Sequence, residues 1–403
     1  MATQILLTTL GTSGDVNPLV GIGRTLKSRG HQVKMLLNPH YQSLVEKAGL
    51  EFEPVGSLEE YTQFVDDGDL WWGKKAFAVL IKLMMSNLVP TFEAIAKNYK
   101  PGETVVVAGS MALGARLAHE KLGVPLATVH LQPYAFGTDA QIPSPVATPE
   151  DPFLPHFNKV RAALGLEPTE NVFHGWYHSP HEVLGMFPAW FATEHRWPPH
   201  THLVGFPMED QKGLVDIPSD LEDFLQAGDP PVVITFGTGM RQAKHCFEEA
   251  TEALTKMGRR GILLTRYPEQ LPDTLPDSIK HFSYVPFSDV LPRTAGILYH
   301  GGIGTLSQAL KAGIPHIVVP FAHDQPDNAQ QLIALGIGRA IKPKELNADL
   351  IVEAFSALLD NPEVLQKCNA LKDHFSGPNG LEEASNRIEA LVGTDEPAGC
   401  HSH

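Results

Sequence analysis

The sequence predicts an α/β protein built as two doubly wound, Rossmann-like domains that face each other across a cleft. Three observations lead there. Strand-like runs rich in Ile, Val and Leu alternate with amphipathic helical patterns in two separate series. The 403 residues, 43% of them hydrophobic, supply enough material for two ordinary cores. Between the series lies EDQKGLVDIPSDLEDFLQAGDPP, acidic and punctuated by Gly and Pro, as expected where few contacts cross a boundary.

The first series runs QILLTTL, PLVGIGRTLKSRG, HQVKMLL and YQSLVEKAG, a βαβα rhythm, and continues with ETVVVAGS, MALGARLAHEKLG and PLATVHL. A mainly parallel sheet with helices on both faces follows from it. The run AFAVLIKLMMSNLVPTF, residues 76–92, carries Lys82, Ser86 and Asn87 and is expected to stop at Pro90, short of a membrane span. Its Met84 and Met85 suit a core or an irregular apolar pocket equally. Residues 132–155 are dense in proline without an apolar period, which suggests a functional loop or lid. The second series runs PVVITFGTGM, GILLTRY, HFSYV, GILYH and PHIVVPF, then closes in helices over about 347–391. The expected domains are 1–209 and 230–378, joined by a linker at 210–229. A helix at 379–393 is expected to pack back on the first domain, and the tail 394–403 to be disordered.

A net charge of −15 and a pI near 5.6 disfavour nucleic acid and anionic membrane surfaces as partners. Cys246, Cys368 and Cys400 are odd in number and widely spaced, which fits a reducing, cytoplasmic setting better than a disulfide framework. MATQILLTTLGTSGD has no basic leader and reads as a first strand rather than a signal peptide.

Ligands of open α/β sheets sit at the carboxyl ends of strands, and the suggestive residues all fall there. In HGGIGT the strand GILY ends at His300, and a helix begins in the glycines. Gly302 and Gly304 permit close approach of backbone to an anion, while His300 and Thr305 can add donors. The structural alternative is a glycine-softened turn with a capping histidine. In PFAHDQPDN, Pro326 suits the first helical position, with Gln325 near the cap and Asp324 spare. An adjacent carboxylate and amide could hold sugar hydroxyls or simply start a helix. In GTSGDVNPLVGIG, Pro18 reads as the first helical residue and Asn17 as the cap, which leaves Asp15 an acid without structural duty, or else a turn residue. The spacing lacks G-x-G-x-x-G, so a dinucleotide site is disfavoured.

HGGIGT with PFAHDQPDNA, preceded by SYVPFSDVLP and paired with GTSGDVNP, resembles the nucleotide-sugar glycosyltransferases of the GT-B fold over nearly the whole chain. VVVAGSMALGARLAHEKLGVP and HSPHEVLGMFPAWFA bring it nearer to the bacterial rhamnolipid rhamnosyltransferases and to sterol and macrolide glycosyltransferases. The resemblance implies an acceptor-binding first domain, a donor-binding second domain and inverting transfer of rhamnose or glucose from dTDP or UDP. The acceptor would be hydrophobic: a hydroxy fatty acid lipid, sterol, macrolide or phenolic aglycone, with peripheral membrane contact as a corollary. By the same resemblance His300 and the amides through Gly304 and Thr305 would hold the diphosphate, and Asp324 and Gln325 the sugar. Tyr284 and Val285 match the positions that stack on and bond the base, with Tyr in place of a Trp, and the base stays open. Asp15 would be the general base, with His130 in reserve, and Thr238 would face the diphosphate unless it only makes an ST-turn.

DDGD at 66–69 holds Asp67 and Asp69 in the D-x-D spacing of metal-dependent sugar transferases. It sits in a polar loop rather than after a strand and reads as a solvated turn, so neither metal nor other cofactor is expected besides the donor. HEKLG, with His119 and Glu120, lacks a second His and reads as surface polarity. GCHSH at Cys400, His401 and His403 reads as an incidental metal ligand set. Two rivals remain: a sugar-nucleotide epimerase of the same fold and a non-catalytic lipid or nucleotide binder.

Overall fold

A computed structural model describes residues 3–136, 153–170, 172–192, 197–377 and 379–392. The greater part of the proline-rich segment 132–155, and the GCHSH tail, lie outside the described residues.

The first sheet contains β1 (Gln4–Thr8), β2 (Gln32–Leu37), β3 (Glu51–Pro54), β4 (Thr104–Gly109), β5 (Leu126–His130), β6 (Glu182–Gly185) and β7 (Thr201–Leu203). Their order is β3-β2-β1-β4-β5-β6-β7, and every pairing is parallel. The second sheet contains β8 (Val232–Thr235), β9 (Gly261–Leu264), β10 (Ile279–Phe282), β11 (Gly296–Tyr299), β12 (His316–Val318) and β13 (Gly338–Ala340). It runs β10-β9-β8-β11-β12-β13, also parallel throughout. Strands buried on both faces explain why ETVVVAGS and PVVITF are continuous apolar runs, with Val105, Val106 and Val107 all within 1% of full burial. In each sheet the order reverses where β1 meets β4 and where β8 meets β11. A crevice opens at such a switch point, beyond the carboxyl ends of the strands.

Helix Gly380–Glu389 returns to the first domain. Its Leu381 packs against Gly21 of helix Ser13–Ser28, Arg29 pairs with Glu389 at 2.8 Å, and Arg387 pairs with the buried Glu182 at 2.7 Å. The segment between the domains bonds to both. Gln211 Nε2 donates to Asn17 at 3.0 Å, and the Asp210 carboxylate accepts from the Ser288 N–H at 2.7 Å.

Two expectations about elements are corrected. The apolar run does not stop at Pro90. A helix Gly73–Ser86 breaks at Asn87 and a second, Leu88–Asn98, takes Pro90 into its first turn, where the missing N–H costs nothing. Together Lys75–Asn98 is long and apolar enough to cross a membrane, and 39% of its most apolar window is buried in the protein. HEKLG is not surface: His119 is buried with Nδ1 at 2.9 Å from Val124 O, and Glu120 takes a 2.9 Å bond from Trp176 Nε1 and pairs with Arg161. A helix packed on a sheet turns these positions inward, where partners satisfy them.

Candidate functional site

The ten residues that the sequence assigns to base and donor roles all line one cavity of about 270 Å³ between the domains. Asp15 enters from the first domain; Thr238, Tyr284, Val285, His300, Gly302, Gly304, Thr305, Asp324 and Gln325 enter from the second.

The helix after β1 begins at Ser13, not Pro18. Thr12 is its cap and Asp15 its third residue, so Pro18 lies inside the helix and Asn17 caps nothing. Asp15 therefore does have a structural duty, because its Oδ2 accepts from the Thr12 N–H at 2.8 Å and from the Thr12 hydroxyl at 3.4 Å. No side-chain or backbone partner of Oδ1 is found among the described residues, and Asp15 lines the cavity. Burial pushes the Asp15 carboxyl up to about 6, against the hydrogen bonds from Thr12.

β11 delivers His300 to the mouth of helix Ile303–Ala312, whose cap, Gly302, has no side chain to offer. Leu306 N donates to Gly302 O at 3.0 Å, so Ile303, Gly304 and Thr305 keep N–H groups without intrahelical partners. The imidazole explains two glycines. A Cβ on Gly302 would stand 2.4 Å from His300 Nε2, and one on Gly237 2.9 Å from the same ring. Burial lowers His300 to about 4, so it is neutral at physiological pH and the positive potential here comes from the helix terminus.

The helix after β12 also starts earlier than expected. Asp324 is its cap and Pro326 its second residue, and the Asp324 side chain is not spare: Oδ2 accepts from Asn328 Nδ2 at 2.6 Å. Burial, reinforced by the neighbouring charges of Asp15 and Asp327, raises Asp324 to about 7. Gln325 spends its side-chain oxygen on the N–H groups of Phe321 at 2.7 Å and Ala322 at 3.2 Å, which leaves its NH₂ for a ligand.

The Val285 side chain is core, so only its N–H and C=O, unbonded among the described residues, can meet a ligand. Tyr284 donates its hydroxyl to Asp210 O at 2.9 Å and lies under the Arg266 guanidinium at 5.0 Å. The ST-turn near Thr238 belongs to Thr235, whose hydroxyl accepts from Gly237 N at 3.5 Å; the Thr238 hydroxyl itself is free for the cavity. His130 is fully buried, its Nε2 3.0 Å from His178 Nδ1, and does not line the cavity.

Sequence reasoning missed Arg266, which lines the cavity with no ion-pair partner among the described residues, and the apolar wall of Phe64, Leu80, Met111 and Leu131. Arg266 follows β9 and could have been found by the strand-end rule that found His300. The wall gathers distant segments that no local pattern links. Asp67 and Asp69 do not enter the cavity: Asp67 caps the turn Gly68–Trp71, and Asp69 pairs with Lys75 at 3.0 Å.

Residues 5–135 match the glycosyltransferase family 28 N-terminal domain, and residues 261–391 the erythromycin biosynthesis protein CIII-like C-terminal domain. The chain is 27% identical to an O-mycaminosyltylonolide 6-deoxyallosyltransferase of Streptomyces fradiae, covering 97% of this chain and 98% of that one. A sterol 3-beta-glucosyltransferase of Arabidopsis thaliana is 26% identical over 93% of this chain and 64% of its own length. Among solved structures, the glycosyltransferase of kitacinnamycin superposes with a TM-score of 0.76 at 20% identity, covering 97% of this chain and all of that one. A spinosyn rhamnosyltransferase complexed with thymidine diphosphate superposes at 0.67 with 18% identity, covering 95% and 99%. Two parallel sheets in 3-2-1-4-5-6 order, the first with a seventh strand at its edge, a shared cleft and family matches in both halves converge: the chain is a glycosyltransferase of the GT-B fold, similar to those of the macrolide and sterol type.

Proposed function

We propose that the enzyme moves rhamnose or glucose from a dTDP- or UDP-sugar to a hydroxyl of a hydrophobic acceptor, with inversion, in the cytoplasm, and without metal or other cofactor. One observation carries this reading: Asp15 and the helix start at Ile303, Gly304 and Thr305, whose N–H groups have no partner among the described residues, line one cavity from opposite domains. The acceptor oxygen attacks the anomeric carbon while Asp15 accepts its proton, and the bond to the diphosphate oxygen breaks with its electron pair leaving on the diphosphate. Charge grows on that leaving group at the helix terminus, where the amides and dipole are already oriented, and Arg266 stands nearby as a fixed cation. This arrangement meets the diphosphate charge without a metal. Asp324 and the Gln325 NH₂ suit donor hydroxyls, and the unbonded peptide groups of Val285 suit the edge of a pyrimidine. The thymidine diphosphate of the spinosyn enzyme and the macrolide and sterol relatives support the donor and acceptor classes. The apolar wall suits an acceptor of that kind, and the two described cysteines are buried and unpaired, as a reducing compartment allows.

The test supplies dTDP-α-glucose, UDP-α-glucose and dTDP-rhamnose with hydroxy fatty acid, sterol and phenolic acceptors, with and without EDTA, and reads products by mass spectrometry and NMR. A β-glucoside formed equally in EDTA is expected. An α-glucoside would overturn inversion, and loss of turnover restored by magnesium or manganese would overturn metal independence.

A further inference from the structure

The DDGD segment is left without a role by the donor site, yet it crosses the cleft. Asp66 pairs with Arg241 of the second domain, and the following turn Gly68–Trp71 lies against the loop that carries Asp324. His323, held at a positive φ of 61°, reaches Leu70 O with its Nε2 at 2.9 Å. Its ring meets Trp71 edge-on at 5.5 Å, and Trp72 meets Phe321 at 6.3 Å. Trp71 Cζ2 lies so close to the Thr238–Gly239 loop that a Cβ on Gly239 would stand 3.3 Å from it. The indole is thus wedged between the two second-domain loops that flank the proposed donor sugar.

Trp71 lines the cavity, is only 8% exposed, and its Nε1–H has no hydrogen-bond partner among the described residues. The unpaired N–H belongs to the same edge as Cζ2, the edge turned to the Gly239 side of the cleft. A buried indole N–H ordinarily finds an acceptor, and one buried without a partner in a residue that lines a ligand cavity calls for an acceptor that a bound ligand can supply. We infer that Trp71 of the first domain reads the donor sugar, its indole N–H donating to a sugar hydroxyl once the donor is bound, with the DDGD segment as the clasp that carries it across the cleft. This rests on the donor site proposed above and extends it: sugar choice is shared by both domains and depends on their closure. The ion pair of Asp66 with Arg241 then has a purpose, since it holds the turn against the second domain, while Asp69 pairs with Lys75 inside the first domain.

The experiment compares wild type with Trp71→Phe, which keeps the ring and removes the donor. Calorimetry measures dTDP, UDP, dTDP-glucose, UDP-glucose and dTDP-rhamnose binding, and steady-state kinetics measures KM for donor and acceptor separately. Loss of one hydrogen bond to a buried hydroxyl predicts sugar-nucleotide affinity about 5- to 30-fold weaker, with dTDP and UDP affinity unchanged. The two sugars should lose unequal amounts if one of them lacks the hydroxyl that is read. Equal binding of all five ligands by both proteins overturns the inference while leaving the donor site intact. A change confined to the acceptor KM overturns it too, by assigning the N–H to the acceptor. Weakened binding of dTDP and UDP themselves marks Trp71 as structural, and a wild type that binds no nucleotide at all overturns the donor site along with it.

Discussion

Asp15 combines two tasks on two oxygens. Oδ2 holds the Thr12 N–H and so starts the helix, which leaves Oδ1 for the proposed proton transfer in the cavity that Asp15 lines. Asp15→Asn retains an oxygen for Thr12 and removes the base. Turnover should fall about 10²- to 10⁴-fold while calorimetric dTDP or UDP affinity stays within error. Because the proton acceptor is the ionised form and burial holds it near 6, kcat/KM should rise with pH through about 6 and level above it. Near-normal turnover of the variant, or a pH profile flat between 5 and 7, would remove Asp15 from the proton transfer. The expectation that Asp15 and Asp324 were idle at their helix starts was wrong by a few residues of register. A capping carboxylate keeps a second oxygen, and the proposed chemistry needs only that one.

Helix Gly380–Glu389 depends on one contact without a side chain. A Cβ at Gly380 would stand 2.3 Å from Gly205 O and 2.8 Å from Phe206 O, both backbone atoms that cannot turn aside. Gly380→Ala should therefore cost roughly 1–3 kcal/mol of stability and loosen the helix from the first domain. A lower Tm with faster amide exchange across residues 381–391 is the expected record. Wild-type exchange there would show that the chain absorbs the methyl elsewhere. The ion pair of Arg29 with Glu382 adds specificity of seating more than energy, since both groups are partly in solvent, whereas Arg387 partners a buried carboxylate, Glu182.

Over the whole molecule, four buried imidazoles set the acid limit. Burial lowers His130 well below its ordinary value, aided by His178; burial alone brings His178 and His300 to about 4 and His316 to about 3. Each is neutral in the folded chain and protonated near pH 6.5 in the unfolded one, so its contribution is complete above about 6.5 and is lost as pH falls toward 4. Asp15 and Asp324 act in the opposite sense: with folded values raised to about 6 and about 7, they favour folding below about 4 and withdraw that support as pH rises toward 7. The histidines outnumber the acids, so Tm should fall between pH 6.5 and 4.5 in calorimetry. A Tm that climbs over that range would show that the two carboxyls dominate.

Sequence alone determined the layering and the address of the site. Apolar runs of four to six residues alternating with helices can bury themselves only as a parallel sheet covered on both faces, and strand ends followed by glycine or an acid mark where such sheets bind. His300, Gly302, Asp324 and Thr238 were legible on that basis, and so was Asp15. Helix starts were misplaced by one to five residues, because prolines tolerated inside a first turn or a packed helix look like first positions when only propensity is weighed. What tertiary structure alone decided is everything that joins distant segments. Glu120 turned inward because a neighbouring helix supplied Arg161, His119 because Val124 O meets its ring, and Val285 was left only its backbone to offer because its side chain is core. The apolar wall of the cavity gathers Phe64, Leu80, Met111 and Leu131. Asp66 of DDGD meets Arg241, and Leu70 just after it meets His323, both partners lying in the second domain. Local pattern follows from backbone period and burial, whereas partnership across a cleft depends on contacts between residues hundreds of positions apart, which no period encodes.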